Sequence, residues 1–288
     1  MSNQADLKTI VRGAYDVQKL RIQMGNRIVG NFKAKLGQKP GEKEDELDAE
    51  GKEILEILRL SYSVISEGVA RFPRQKNFKG DSVISSFTEY VLTAQYIDLE
   101  RDEKNHFNRL KAVLQEFPIY TDWLEGIRGV GPTMAGVIIS EIDISKAEYP
   151  SSLWRYAGLD VASDGQGRSR RKEHLIDTEY TTKEGEISTK KSITFNPFLK
   201  TKLVGVLGSS FLKCGGTYRE IYDNYKHRLE HMPAHAEKTK AHRHNMAVRY
   251  AVKRFLVDLH YNWRAIEGLP VSDEYSVAKL GIIHKKAA

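Results

Sequence analysis

The stretch whose reading decides the fold is Leu124-Glu125-Gly126-Ile127-Arg128-Gly129-Val130-Gly131-Pro132-Thr133-Met134-Ala135. A short helical approach, Thr121 to Glu125, precedes the glycines, and an apolar helical run, Ala135 to Ile142, follows them. Gly129 and Gly131 bracket the small apolar Val130. Glycine tolerates positive φ and lets another backbone come close. Pro132 suits the first position of a new helix, where its missing N–H costs nothing. The spacing therefore predicts a helix, a tight glycine hairpin and a second helix.

The second helix would begin with unpaired backbone N–H groups and the positive end of its dipole. Such an end holds phosphate without reading base identity. Gly126, Ile127, Val130, Pro132 and Ala135 complete the pattern of a helix–hairpin–helix motif, a binder of the nucleic-acid backbone. Arg128, Gly129, Val130, Gly131 and Thr133 are the residues placed to approach phosphate. The plainer alternative is a helix–turn–helix corner with a glycine cap.

Charge is consistent with a polyanionic partner. The 288 residues carry a formal net charge of +7. Residues 1–118 hold 19 Lys/Arg against 18 Asp/Glu, whereas residues 119–288 hold 26 against 20. The excess thus falls in the half that carries the hairpin. Apolar content of 40% is ordinary for a globular chain with a sizeable core. Cys214 is the only cysteine, so a disulfide framework is excluded and a reducing compartment is expected. Its thiol is read as a bystander. The first residues lack an apolar signal region, and no run approaches the ~18 apolar residues of a membrane helix. A cytoplasmic protein with no membrane partner is the expectation, associated with the nucleoid if the source is bacterial.

Outward from the hairpin, the chain reads as mainly α. Residues 6–36 form a helix ended by Gly37 to Gly41, and Asp45 to Ile65 form a second. Asp81 or Ser82 is expected to cap a long helix reaching about Glu116, some ~50 Å at 1.5 Å per residue. Its apolar stripe fits either a coiled-coil-like arm that dimerises the chain or a plain bundle helix. Residues 1–118 are thus an N-terminal helical bundle with a long arm, and residues 119–288 a helix–hairpin–helix domain.

Within the second domain, Ser151 or Ser152 caps a short helix stopped by Gly158. A glycine-rich and then basic loop follows, Ser163-Asp164-Gly165-Gln166-Gly167-Arg168-Ser169-Arg170-Arg171-Lys172. Residues 173–194 suggest a small β-hairpin insertion or a flexible loop. An Asn196-Pro197-led helix places Phe198, Leu199, Leu203, Val204, Val206, Leu207, Phe211 and Leu212 inward. A final helix runs from Met246 to about Ile266. Between them, Lys238, Lys240 and Arg243 belong to a basic, His-rich stretch suited to phosphates. His227, His231 and His235 recur every four residues, but Pro233 interrupts the spacing and no further ligand completes a zinc site.

The hairpin, followed by Glu141-Ile142 and then Leu153-Trp154-Arg155-Tyr156-Ala157-Gly158-Leu159, resembles the C-terminal domain of the insertion-sequence transposases related to the Piv DNA invertase, also called bridge recombinases. The similarity covers roughly residues 119–266. It implies a DNA-binding protein acting in transposition or recombination. It also implies a nucleophilic serine in the loop after the Ala-Gly-Leu helix, where Ser163 stands. Attack on a phosphodiester needs an exposed hydroxyl, a proton acceptor and cations to stabilise the oxyanion. Arg168, Arg170, Arg171 and Lys172 could supply the cations. The family pattern has two serines before two glycines, which this loop does not repeat.

Residues 1–80 do not show the alternating strands and helices of the RuvC-like nuclease domain that those transposases carry. The acidic run Glu42, Glu44, Asp45, Glu46, Asp48 and Glu50 reads as a solvated helix start rather than a metal site. No cofactor is expected, and Mg²⁺ would enter only with a partner nuclease or a cryptic nuclease site. The partners expected are DNA, structured RNA as a second possibility, and a second copy of the chain through the helical arm. A non-catalytic binding protein that keeps the fold, and a helical oligomerisation protein, are the alternative functions.

Overall fold

The computed structural model describes residues 2–38, 47–69 and 71–273. The helix end at Pro40 and Gly41, and the acidic residues Glu42, Glu44, Asp45 and Glu46, lie outside the described residues. The chain is mainly α with one small antiparallel hairpin, as expected. Its described residues divide into two compact units, 9–112 and 2–8 with 113–273.

The 9–112 unit is a helical bundle. It contains most of α1 (Ser2–Lys35), α2 (Ala49–Ser66) and most of α3 (Phe87–Leu114). Its core joins Ile28 and Val29 of α1, Ile54, Leu55 and Leu58 of α2, and Tyr90 and Tyr96 of α3. Charged groups are paired at its edges. Arg21 is bonded to Glu103, and Arg59 to Glu56 and Glu100.

Two helix starts differ from the expectation. The second helix begins at Ala49, because Asp48 is its cap and accepts from the Gly51 N–H at 2.6 Å. The long helix begins at Phe87, not at Asp81 or Ser82. Asp81 instead holds a turn, accepting from the Val83 and Ile84 amides at 2.8 and 2.7 Å. Ser86 and Glu89 form the cap reciprocally: Glu89 N–H donates to Ser86 Oγ at 3.2 Å, and Ser86 N–H to Glu89 Oε2 at 3.1 Å. This Ser-x-x-Glu box was present in the sequence and competes successfully with the earlier aspartate. At 28 residues the helix spans ~42 Å.

The second unit is built around the long helix α10 (Lys240–Ile266). Short α4 (Pro118–Asp122) and a 3₁₀ turn, Leu124–Gly126, lead to the glycines. The expected approach over 121–125 is therefore broken at Trp123, whose ring stacks on Phe255 of α10 at 5.7 Å. Helix α5 (Pro132–Glu141) is buried along almost all its length. Helix α6 (Pro150–Tyr156) starts from Pro150 with no side-chain cap, so neither Ser151 nor Ser152 plays the expected part. Gly158 ends it with a φ of +64°.

Strands β1 (Ile176–Thr181) and β2 (Ile187–Ser192) pair in antiparallel register, with Ile176 opposite Ser192 and Thr181 opposite Ile187. Their loop turns on Gly185, at φ +86°.

Asn196 caps α7 (Pro197–Thr201), accepting from Leu199 N–H at 3.0 Å. The helix continues through a π segment, Lys202–Leu207, into α8 (Gly208–Cys214). Leu199, Leu203, Leu207 and Phe211 are buried, a spacing of four. The wider π turn suits that spacing better than 3.6 residues per turn. It also turns Val206, expected inside, out to 48% exposure. Helix α9 (Thr217–His231) follows, and α10 (Lys240–Ile266) lies beside it. Helix α10 starts two turns before the expected Met246, because Thr239 accepts from the His242 N–H at 3.1 Å. Its predicted inward residues, Val248, Val252, Phe255, Leu256, Leu259 and Trp263, are all buried. No helix among the described residues is long and apolar enough to cross a membrane.

Candidate nucleic-acid interface

At the hairpin tip only one glycine uses its conformational freedom. Gly129 has a φ of +92°, and a Cβ placed there would stand 2.9 Å from Cδ1 of Phe211. Gly131 is extended at φ −82°, caps α5 with its own backbone, and has open space where a Cβ would go. The two glycines thus divide the work. One lets the turn pack against α8, and the other leaves the helix start clear. Val130 is buried, Gly131 and Arg128 are exposed, and Pro132 and Thr133 are half-buried. The start of α5 is therefore open to solvent. The aliphatic stem of Arg128 lies against Gly216 at the start of α9.

The far end of α5 is anchored. Glu141 is buried and accepts from Asn196 Nδ2 at 2.6 Å, with Lys8 Nζ at 3.5 Å. Asn196 N–H also donates to the Tyr156 carbonyl at 2.8 Å. The same asparagine therefore caps α7 and ties α5 to the Tyr156-Ala157-Gly158-Leu159 segment. A Cβ on Gly158 would fall 2.6 Å from the Phe195 ring, so that segment needs its glycine for contact as well as for φ.

Beyond it the basic loop is ordered by its own hydrogen bonds. Val161 and Gly167 bridge, the Ala162 N–H donates to the Gln166 carbonyl at 2.8 Å, and Gly165 turns at φ +75°. Ser163 sits on this turn, exposed and with no hydrogen-bond partner among the described residues. Asp160 receives Arg168 Nε at 2.7 and 2.9 Å. Arg170, Arg171 and Lys172 are exposed.

A residue the sequence did not single out organises the loop. His174 is buried, and its Nδ1 accepts from the Ser169 N–H at 2.9 Å with the Ser169 hydroxyl 3.1 Å away. That bond assigns the ring proton to Nε2, which donates to Asp164 at 3.0 Å. Arg171 Nε donates to Ser169 Oγ at 3.1 Å. The His174 imidazole first, then the Gln166 N–H donating to Asp164 Oδ1 at 2.9 Å, and lastly Arg171 hold the Asp164 carboxyl below the usual carboxylate range.

Lys200 and Arg249 were also missed. Lys200 Nζ donates to the Arg168 carbonyl at 2.5 Å and lies 4.5 Å above the Phe195 ring. Burial first, and then Arg249, Arg168 and Arg170, push its pKa down to about 8 against the opposing pull of Asp160. Arg249 reaches across from α10, with its guanidinium 3.1 Å from where a Cβ on Gly167 would be and 3.4 Å from the Gly158 carbonyl. A lysine between Leu199 and Leu203, on the apolar side of a largely apolar helix, was a weak signal for the first, shared with Lys202. Nothing local distinguished Arg249 from the other cations of α10.

The hairpin and the basic loop occupy opposite ends of α5. Gly129 meets Phe211 at one end, and Asn196 meets Glu141 at the other, ~15 Å away along the ten-residue helix. Lys238, Lys240 and Arg243 are elsewhere. Helix α9 starts beside Arg128 and runs ~22 Å over its 15 residues before that stretch. There Lys238 Nζ lies 2.8 Å from His235 Nδ1, and Arg243 Nη1 donates to the His235 carbonyl at 3.2 Å. The His227 and His231 rings lie 4.1 Å apart and tilted by 35°, with His231 Nδ1 donating to the His227 carbonyl. Among the described residues no cluster of His, Cys, Asp or Glu is placed to hold a metal ion. Cys214 is free and exposed. No family model, curated protein or solved structure matches the chain.

Proposed function

We propose that the chain binds the sugar–phosphate backbone of DNA through its 118–141 hairpin and its 160–172 loop, as a binding protein of the Piv-like transposase kind acting in transposition or recombination. The observation that carries this reading is the solvent-open start of α5 at Gly131 to Thr133, beside the exposed Arg128. Pro132 has no N–H and the Met134 N–H donates to the Gly131 carbonyl at 3.0 Å, so Thr133 supplies the amide at this end, where the dipole favours an anion. The second anchor, ~15 Å along α5, would meet the same strand a few phosphates on. A cytoplasmic setting, structured RNA as a further ligand and self-association belong to the same proposal.

The test is a salt titration of binding to a labelled duplex. Affinity is expected to fall linearly with the logarithm of salt, because each neutralised phosphate releases counterions. Salt-independent binding, or none, would end the reading.

Strand transfer is a second reading, favoured by the hydrogen bond between Ser169 and His174. Ser163, at the position the family resemblance indicates, lacks a proton acceptor. Ser169 has one in His174, oriented by Asp164, with Arg171 beside the hydroxyl. Comparing Ser163→Ala with Ser169→Ala in a strand-transfer assay separates the cases. A serine nucleophile loses covalent product and keeps binding, whereas a binding protein makes no product in any form.

A further inference from the structure

We propose that Lys200, Arg249, Arg168 and Arg170 form a socket for one phosphate group of a nucleic-acid backbone. The inference rests on the reading of the chain as a backbone binder, and it names the point where the grip is chemically most specific. The four cations come from three places: α7, α10 and the basic loop. Arg168, Lys200 and Arg249 gather around Asp160, and Arg170 acts on Lys200 from the loop. That carboxylate is occupied by Arg168, whose Nε it receives on both oxygens.

Lys200 has one of its three protons on the Arg168 carbonyl and the Phe195 ring beneath it. Arg249 finds only a long bond to a carbonyl, at 3.4 Å, among the contacts that position it. Lys200 and Arg249, both half-buried, are thus left without a carboxylate of their own, with the exposed Arg170 adding its charge from the loop. Excess positive charge taken partly out of water is costly unless an anion joins it. A phosphate is the anion of matching size and charge, and guanidinium groups recognise it by paired N–H donors.

The glycine of the loop supports the same assignment. Gly167 lies flat against the Arg249 guanidinium, where any side chain would meet it at 3.1 to 3.2 Å. The contact leaves the plane of the guanidinium in place beneath the loop. Around Lys238 and Arg243, by contrast, Lys238 Nζ and Arg243 Nη1 turn back to residues 234–236, and only Arg243 Nε is left buried without a partner among the described residues.

A socket of this kind makes binding depend on pH in a range where exposed lysines do not titrate. Burial, Arg249, Arg168 and Arg170 bring Lys200 down to about 8, so part of the ammonium is lost above neutrality. An arriving phosphodiester anion favours the charged form, and the Lys200 amine takes up a proton from solvent as it binds. If only the charged form binds, affinity falls about tenfold between pH 7 and pH 9.

The experiment is a titration of the full chain with a short labelled duplex at constant ionic strength across that range. It compares the wild type with Lys200→Arg and Lys200→Met, each checked for folding by thermal melting. The wild type is expected to lose about tenfold, Lys200→Arg to bind with a flat profile, and Lys200→Met to bind weakly with a flat profile. The wild-type profile needs no variant to fold. A flat wild-type profile with salt-dependent binding intact would overturn the socket and leave backbone binding standing. So would a Lys200→Met protein that matches the wild type in strength and slope. Absence of duplex binding in every form overturns both.

Discussion

The backbone of Gly129 rests against Phe211, with a φ of +92° and only 2.9 Å between a would-be Cβ and the ring. Phe211 in turn lies 4.6 Å from the Tyr218 ring and 5.5 Å from that of Phe255. The hairpin is therefore keyed into the aromatic core at one atom's clearance. Gly129→Ala adds both backbone strain and a steric conflict. The expected loss is about 1–3 kcal/mol of stability, measured by denaturant unfolding. A variant as stable as the wild type would show that the turn can move off Phe211.

Gly131 makes the opposite case, since open space surrounds it at the start of α5. Gly131→Asp should strengthen the cap and complement the helix dipole by about 0.3–1 kcal/mol. The same carboxylate would stand where a phosphate is proposed to sit. Stability should rise while duplex affinity drops several-fold. Unfolding and binding measured on one preparation decide it. Stability gained with affinity unchanged would remove the helix start from the interface.

These two glycines show how far the residues could be read. Gly-x-Gly-Pro announced the turn and the new helix, because φ and N–H constraints are local. That Gly129 alone takes a positive φ depended on Phe211, 82 residues away in the chain, and no spacing encodes that contact. The long helix was legible from its apolar stripe. Its start was misplaced because Asp81 and Ser86 both suit a cap, and the reciprocal bond with Glu89 decides between them. In the candidate site, Arg168, Arg170 and Arg171 were visible as a basic run. Lys200, Arg249 and His174 were not, because their significance comes from burial and from partners on other elements.

Salt dependence distinguishes the cations by their present contacts. Arg170 is the exposed member of the proposed socket, so Arg170→Ala should lower the slope of log affinity against log salt by about 0.9. Lys238 and Arg243 already direct donors to residues 234–236. Lys238→Ala should leave the slope unchanged on a short duplex. Equal losses of slope in both variants would return the His-rich stretch to the interface.

His260 sets a stability limit on the acid side. It is fully buried in α10, with Nε2 donating to the Ala147 carbonyl at 2.9 Å. Its Nδ1 has no partner, and Arg264 Nη1 donates to the same carbonyl at 3.0 Å. A proton on Nδ1 would therefore be a buried, unbonded donor beside a guanidinium. Burial accordingly holds the His260 pKa below its ordinary 6.5, with Arg264 adding to the effect against the Ala147 hydrogen bond.

The unfolded chain then binds this proton more readily than the folded one, so stability rises with pH through the window below 6.5 and levels off above it. His260→Gln can keep an N–H for Ala147 and cannot take up a proton. Its unfolding free energy should be flatter than that of the wild type between about pH 6.5 and pH 5, even if it is lower at neutral pH. Parallel acid limbs in the two proteins would assign the acid sensitivity to some other group.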